Sequence, residues 1–280
     1  MLSLTKQNIL LANGIGIAQL GFGTYKITEY EVAKQAIDSA IEHGYRAFDT
    51  AQLYGNEKIL GRVFQENPLK RDELFITTKI ANDKQGYDTT LTAFEQSLTD
   101  LQTDYVDLFL MHWPLKTTFF QTWKAIERIY EEKRARAIGV CNFHQTHFEL
   151  LSTQANIKPM VNQIEIHPYL IQQSLTDYLR HEDIAIQAWS PLARSSVNED
   201  PRLIKLAKKY QRSPAQIVLR WHIQQGYIVI PKSATPARII ENSLIDDFQL
   251  TADDMNLINS LDEGFRTGPD PDVVFEKDGF

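Results

Sequence analysis

The sequence predicts an α/β fold: a single (β/α)8 barrel with an N-terminal β-hairpin closing its bottom. Three observations predict it. Short β-rich apolar segments alternate with amphipathic helical segments along nearly the whole chain, the pattern of βαβ units and a parallel sheet. Seven such strands are legible and a weaker one lies near residues 243–245; eight is the number that closes such a barrel. No Pro/Gly/Ser-rich linker divides the 280 residues, a length that suits one barrel domain over 1–280. A doubly wound open sheet is the alternative architecture.

The elements follow in order. Residues 8–20 read as the hairpin: Asn13-Gly14 is a type I′ turn signal between Ile9-Leu10-Leu11 and Ile15, Ile17, Leu20. Gly21 and Gly23 then loosen the backbone. Thr28-x-x-Glu31 is a capping-box pattern ahead of a helix carrying Val32, Ala33, Ala36, Ile37 and Ala40, which Gly44 can end. Strands are predicted at 45–51, 74–80, 106–113, 137–142, 160–166, 184–190 and 227–231. Helices fall between them, one capped by Asp88 and one opened by Ser213-Pro214-x-Gln216, with proline at its first position. Thr251-x-x-Asp254 opens a late helix. The stretch from Gly268 to Phe280 is rich in Pro and Asp and reads as an irregular tail.

Composition excludes several classes. The chain has 29 basic and 36 acidic residues, a formal net charge of −7, and no Lys/Arg block, so no nucleic-acid partner is expected. One cysteine, Cys141, forbids a disulfide within the chain and favours a reducing compartment. No apolar run approaches a membrane span, and Met1–Gly14 lacks a signal-peptide cleavage pattern, so a cytoplasmic protein with no membrane partner is expected.

The chemistry of a (β/α)8 barrel lies at the C-terminal ends of its strands. One predicted strand ends at Phe48-Asp49-Thr50-Ala51, with Tyr54 just beyond; the next ends at Thr78-Lys79 and the next at Met111-His112-Trp113. A strand-end Asp is often a helix cap, a Lys there usually snorkels to solvent, and a lone His is usually a satisfied core residue. A carboxylate, a phenol, an ammonium and an imidazole on successive strand ends are harder to dismiss. Hydride reduction of a carbonyl leaves an alkoxide that needs a proton. Tyr54 is neutral at pH 7, and a buried Lys79 beside it is expected to lower its pKa. Asp49 would pair with Lys79, and His112 would orient the carbonyl oxygen. Further along, Asn142 and Gln163 offer amides, Trp189 an indole face, and Lys232, Ser233 and Arg238 a phosphate-type grouping.

These residues resemble the aldo-keto reductase family. The resemblance is carried by Gly21-Phe22-Gly23-Thr24-Tyr25-Lys26, Phe48-Asp49-Thr50-Ala51 with Tyr54-Gly55-Asn56-Glu57, Lys79, His112-Trp113-Pro114 and Gly139-Val140-Cys141-Asn142-Phe143. It continues through Asn162-Gln163-Ile164-Glu165-Ile166-His167-Pro168, Trp189-Ser190-Pro191-Leu192 and Ile230 to Arg238, so it covers nearly the whole chain. The tail and short loops look most like the bacterial 2,5-diketo-gluconate reductase branch. The resemblance implies a monomeric NADPH-dependent reductase of keto-sugars, α-dicarbonyls or similar small carbonyl substrates. It implies a catalytic tetrad of Asp49, Tyr54, Lys79 and His112. Gly23 and Thr24 would border the cofactor, Asn142 and Gln163 would hold its carboxamide, and Trp189 would stack on its ring. Ser190 and Leu192 would follow the pyrophosphate. Lys232, Ser233 and Arg238 would grip the 2′-phosphate, with Glu241 and Asn242 near the adenine. Tyr25, Trp113 and His112 would wall the substrate pocket, with the tail, 265–280, near it.

The family usually has Ser at the position of Cys141, an aromatic at Ile166 and often Trp at Tyr25; none of these touches the tetrad. A dinucleotide fingerprint is absent, since Gly14-x-Gly16 is followed by Gln19 and sits in a hairpin. Cys141, His144 and His147 have a metal-like spacing without a fourth ligand, so no metal is expected. A non-catalytic NADP(H)-binding redox sensor or regulatory subunit is the alternative function, and turnover of an aldehyde separates the two.

Overall fold

The first paired elements are β1 (Asn8–Leu10) and β2 (Gly16–Ala18), antiparallel, in a computed structural model that describes residues 7–280. The hairpin is as expected but its turn is not type I′. Only Gly14 has positive φ (+81°), and Gly14 N donates to Leu11 O at 2.8 Å, so the tight turn is Leu11–Gly14. Asn13 serves through its side chain. Its Oδ1 accepts from Ile15 N, and its Nδ2 donates to Arg136 O at 2.9 Å, near the start of a barrel strand.

Eight parallel strands follow: β3 (Phe22–Gly23), β4 (Ala47–Asp49), β5 (Phe75–Ile80), β6 (Val106–Met111), β7 (Ala135–Cys141), β8 (Val161–Glu165), β9 (Ala185–Trp189) and β10 (Ile228–Val229). Each is hydrogen-bonded to the next in chain order. Parallel bridges Leu20–Val229 and Gly23–Lys232 join the last strand to the first and close the ring. Helices α1 (Tyr30–Glu42), α2 (Glu57–Glu66), α3 (Tyr87–Leu101), α4 (Phe119–Glu131), α5 (Gln145–Ser152) and α6 (Gln173–His181) alternate with the strands. Then come α7 (Pro201–Tyr210), α8 (Pro214–Gln224), α9 (Pro236–Ser243), α10 (Ala252–Asn259) and α11 (Pro271–Lys277).

The seven legible strands are β4 to β10. The eighth is not at 243–245: that stretch leaves α9, and its carbonyls are taken by Gln216 and Arg220 side chains. It is β3, in the glycine-rich stretch that reads as loosened backbone. The glycines there serve close approach, since a Cβ on Gly23 would sit 2.9 Å from Ile230 O across the closing seam.

Two caps form as expected: Ser213 and Gln216 make a reciprocal capping box, and Thr251 Oγ1 accepts from Asp254 N. Two do not. Helix α1 starts after Glu29 with no side-chain cap from Thr28, and Asp88 lies inside the first turn of α3, behind Gly86. The tail is not wholly irregular, because Asp270 caps α11 through Asp272 N at 2.9 Å, with Pro271 at the first helical position. The core fills the barrel and the space between strands and helices. Strand β6 is buried along its whole length, including Asp107, which pairs with Arg71 and Arg136. No helix among the described residues is long and apolar enough to cross a membrane.

Candidate active site

The parallel register lines up the C-terminal strand ends on one rim. Asp49 ends β4, Lys79 lies near the end of β5, and His112 follows β6 directly. Tyr54 comes from a short 3-10 turn over Gln52–Tyr54, ended by Gly55 in the left-handed region at φ +64°. Asp49, Tyr54 and His112 line a cavity of about 520 Å³, and Lys79 is buried against Asp49 and Tyr54.

Lys79 Nζ is wholly buried. It lies 2.6 Å from Asp49 Oδ1, 2.8 Å from Thr50 O and 3.4 Å from the Tyr54 hydroxyl. Gln163 Nε2 donates to the other Asp49 oxygen at 2.7 Å. Both oxygens of this buried carboxylate are therefore satisfied, which an unpaired buried charge would not be. Burial works against the Lys79 ammonium, but attraction to Asp49 outweighs it and holds the proton above the ordinary lysine range. The expected lowering of Tyr54 is not the net result. Burial pushes its phenol up to about 12, and the pull of Lys79 offsets only part of that. The phenol thus carries its proton at neutral pH. Burial, then the Lys79 charge, hold His112 well below the usual histidine value, so its imidazole is neutral. Its Nδ1 has no hydrogen-bond partner among the described residues, and its ring meets Tyr54 edge-on at 5.9 Å.

Two amides face the same cavity. Asn142, at φ +61°, donates Nδ2 to His112 O at 3.0 Å and accepts Trp189 Nε1 at 2.8 Å, so it fixes the indole. Gly23, Thr24, Gln163, Ser190 and Lys232 also line the cavity, as do Tyr25 and Trp113. Leu192, Ser233, Arg238, Glu241 and Asn242 do not; the last four follow Lys232 through its loop and α9. Cys141 is wholly buried, with its thiol pushed up by burial, and it does not line the cavity. His144 Nδ1 and His147 Nε2 instead face Asp272 of the tail, at 2.9 and 3.5 Å. Two cations absent from the expected site also line it. Lys26 and Arg194 stand at the mouth with Lys232, and none of the three forms an ion pair among the described residues. Their signal was position: Lys26 ends the first motif and Arg194 follows Leu192 by two. The tail contributes Gly268, Pro269 and Phe280 to the lining. A wider surface groove of about 850 Å³ runs beside Gln52, Glu57 and α3, but it holds none of the tetrad.

This geometry can give a proton from a phenol to an oxygen held beside His112, while three free cations, two amides and an indole face suit a flat ring bearing an amide and phosphates. The comparisons agree. The sequence model described as the Aldo/keto reductase family matches residues 14–263. The chain is 45% identical over 269 residues to "Glyoxal reductase" of Bacillus subtilis (strain 168), covering 96% of this chain and 98% of that one. It is 44% identical to "Methylglyoxal reductase DkgA" of Yersinia pestis, covering 95% and 96%. A crystal structure of a Gox0644 mutant in complex with NADPH superimposes with a TM-score of 0.91 at 38% identity, over 95% of this chain and 98% of that one. With a match over most of its length and the reactive side chains gathered on the rim, the chain belongs to the aldo/keto reductase family.

Proposed function

We propose that the protein reduces small aldehydes and ketones with NADPH, and that Tyr54 is the proton donor. The observation that carries this reading is the buried line Asp49–Lys79–Tyr54, with contacts of 2.6 and 3.4 Å, ending at the cavity wall. The residues present fit the cofactor. Lys26, Arg194 and Lys232 are unpaired cations for its phosphates, Trp189 is an oriented stacking face, and Asn142 and Gln163 lie where a carboxamide would be held. Bound there, NADPH would supply hydride to the carbonyl carbon. Tyr54 then gives its proton to the carbonyl oxygen. Lys79 stabilises the resulting phenolate at short range, and Asp49 keeps Lys79 charged. Neutral His112 orients the oxygen by a hydrogen bond rather than by charge.

The names of the two relatives support glyoxal and methylglyoxal, both small α-dicarbonyls, as the first substrates to assay. Tyr25, Leu53, Trp113 and Phe280 give the mouth an apolar wall. In this reading the protein acts as a monomer, and the lone buried thiol suits a cytoplasmic setting. Tyr54→Phe tests the assignment. We expect kcat to fall by about 10²–10⁴-fold with either dicarbonyl while NADPH affinity holds. Near-full turnover would remove Tyr54 from the mechanism.

A further inference from the structure

Glu165 ends β8, is 1% exposed, and is used by neither the tetrad nor the cofactor contacts. Its oxygens gather donors from the tail. Thr267 N donates to Oε1 at 2.7 Å, Gly268 N donates to Oε2 at 3.2 Å, and the Thr267 hydroxyl adds another bond. His167 Nε2 lies 3.1 Å from Oε1. Burial alone would raise this carboxyl; the bonds from His167 and Thr267 outweigh it and keep it ionised. A tail segment about a hundred positions away in sequence is thereby pinned to a strand end.

The pinned segment presses on Trp189. A Cβ on Gly268 would sit 2.5 Å from Trp189 Cη2 and 3.4 Å from Cζ2 and Cζ3, so the glycine backbone packs directly on the benzene edge of the indole. The pyrrole nitrogen of the ring, Nε1, is tied to Asn142. The indole is held at both ends, by Asn142 at the nitrogen and by the tail at the ring.

We infer that Glu165 is a positioning residue for Trp189: by anchoring Thr267 and Gly268 it sets the plane of the indole and so the affinity for the nicotinamide ring. The last step rests on the proposed function, in which Trp189 is the stacking face. A carboxylate is needed because one amide oxygen cannot serve all these donors, and an amide NH2 would face the Gly268 N–H.

The test is a cycle of Glu165→Gln, Gly268→Ala and the double variant, with Trp189→Phe as reference. Three quantities are read: Trp189 emission in the free protein, NADPH affinity by titration, and kcat against KM. Each single variant is expected to change Trp189 emission and to weaken NADPH by about tenfold, in KM more than in kcat. The double variant should lose little more than the worse single one, because both act through one contact. Unchanged emission and unchanged NADPH affinity in a folded Glu165→Gln would overturn the inference, as would additive losses. If Glu165→Gln does not fold, Gly268→Ala decides alone, and unchanged emission overturns the inference. Failure of the underlying reading looks different: Trp189→Phe itself would then leave NADPH affinity intact, while the emission of the free protein would still respond to Glu165→Gln.

Discussion

Gln163 donates one amide proton to Asp49 Oδ2 at 2.7 Å and the other to Gln187 Oε1 at 2.9 Å. Its donors are spent inside the barrel, so toward a ligand it can only accept, through its carbonyl oxygen. A carboxamide would therefore meet Gln163 with its NH2 and leave its own oxygen for Asn142. The same bond makes Gln163 the second support of the Asp49 carboxylate, beside Lys79.

Gln163→Glu is expected to destabilise the fold by about 3 kcal/mol at pH 8, because it sets a second carboxyl against a buried one and removes its donor. The introduced carboxyl would have a raised pKa in the folded state. Its penalty is small while it stays protonated and grows as pH rises through that value. Urea midpoints at pH 5.5 and pH 8 check this; an equal loss at both would show that the two carboxyls do not interact.

Arg238 is exposed and free of ion pairs among the described residues, two positions into α9 beyond Lys232 and Ser233. As the proposed 2′-phosphate contact, Arg238→Ala should weaken NADPH by about tenfold, the lower end for a charge-assisted hydrogen bond in a solvated site. NADH, which lacks that phosphate, should change little, and added salt should weaken NADPH more than NADH. Fluorescence titration of both cofactors gives the answer. Equal losses for both would remove Arg238 from phosphate recognition.

Glu57 lies behind the tetrad, with Oε1 accepting from Thr78 Oγ1 at 2.5 Å and Oε2 from Ser97 Oγ at 3.1 Å. Burial pushes its carboxyl up to about 7 despite these bonds. A raised carboxyl contributes stability below its unfolded value of 4.5 and loses it as pH rises through about 7. Glu57→Gln should therefore be about 3 kcal/mol more stable than the parent at pH 8.5 and nearly equal to it at pH 4.5. His147 and His222 are held down to about 4 by burial and act in the opposite sense, so the difference between parent and variant is the quantity to follow in urea titrations. A variant whose advantage does not grow with pH would refute the assignment.

Seven strands were legible because each is a buried run whose apolar residues have no other use. Strand β3 was hidden because Gly23 has no side chain to show a period; its place is fixed by Ile230 across the seam, more than two hundred residues away in sequence. The meeting of Asp49, Tyr54, Lys79 and His112 was legible from residue type at strand ends. The sign of the Tyr54 shift was not, because it depends on how completely the barrel buries the phenol. Lys26 and Arg194 reach the cavity mouth from left-handed backbone at φ +62° and +52°, a conformation that neither residue type announces. The hold of Glu165 on Thr267 is long-range, and no local pattern reports it. Helix α11 did carry a local signal, Asp270-Pro271, which the surrounding Pro and Asp obscured.

The ring of strands closes at its two shortest members, β3 and β10, each two residues long. Gly21 N to Val229 O, Val229 N to Gln19 O and Gly23 N to Pro231 O hold that joint at 2.9 to 3.1 Å. The cavity straddles it, with Gly23 to Lys26 on one bank and Ile230 and Lys232 on the other. Whatever fills the cavity is also a rivet through the weakest weld of the barrel. At a hundredfold excess over its Kd such a ligand adds about 2.7 kcal/mol to the folded state, and this joint is where the gain is felt first, as slower amide exchange at Gly21, Gly23 and Val229. Holding the ligand and holding the barrel shut draw on the same few bonds.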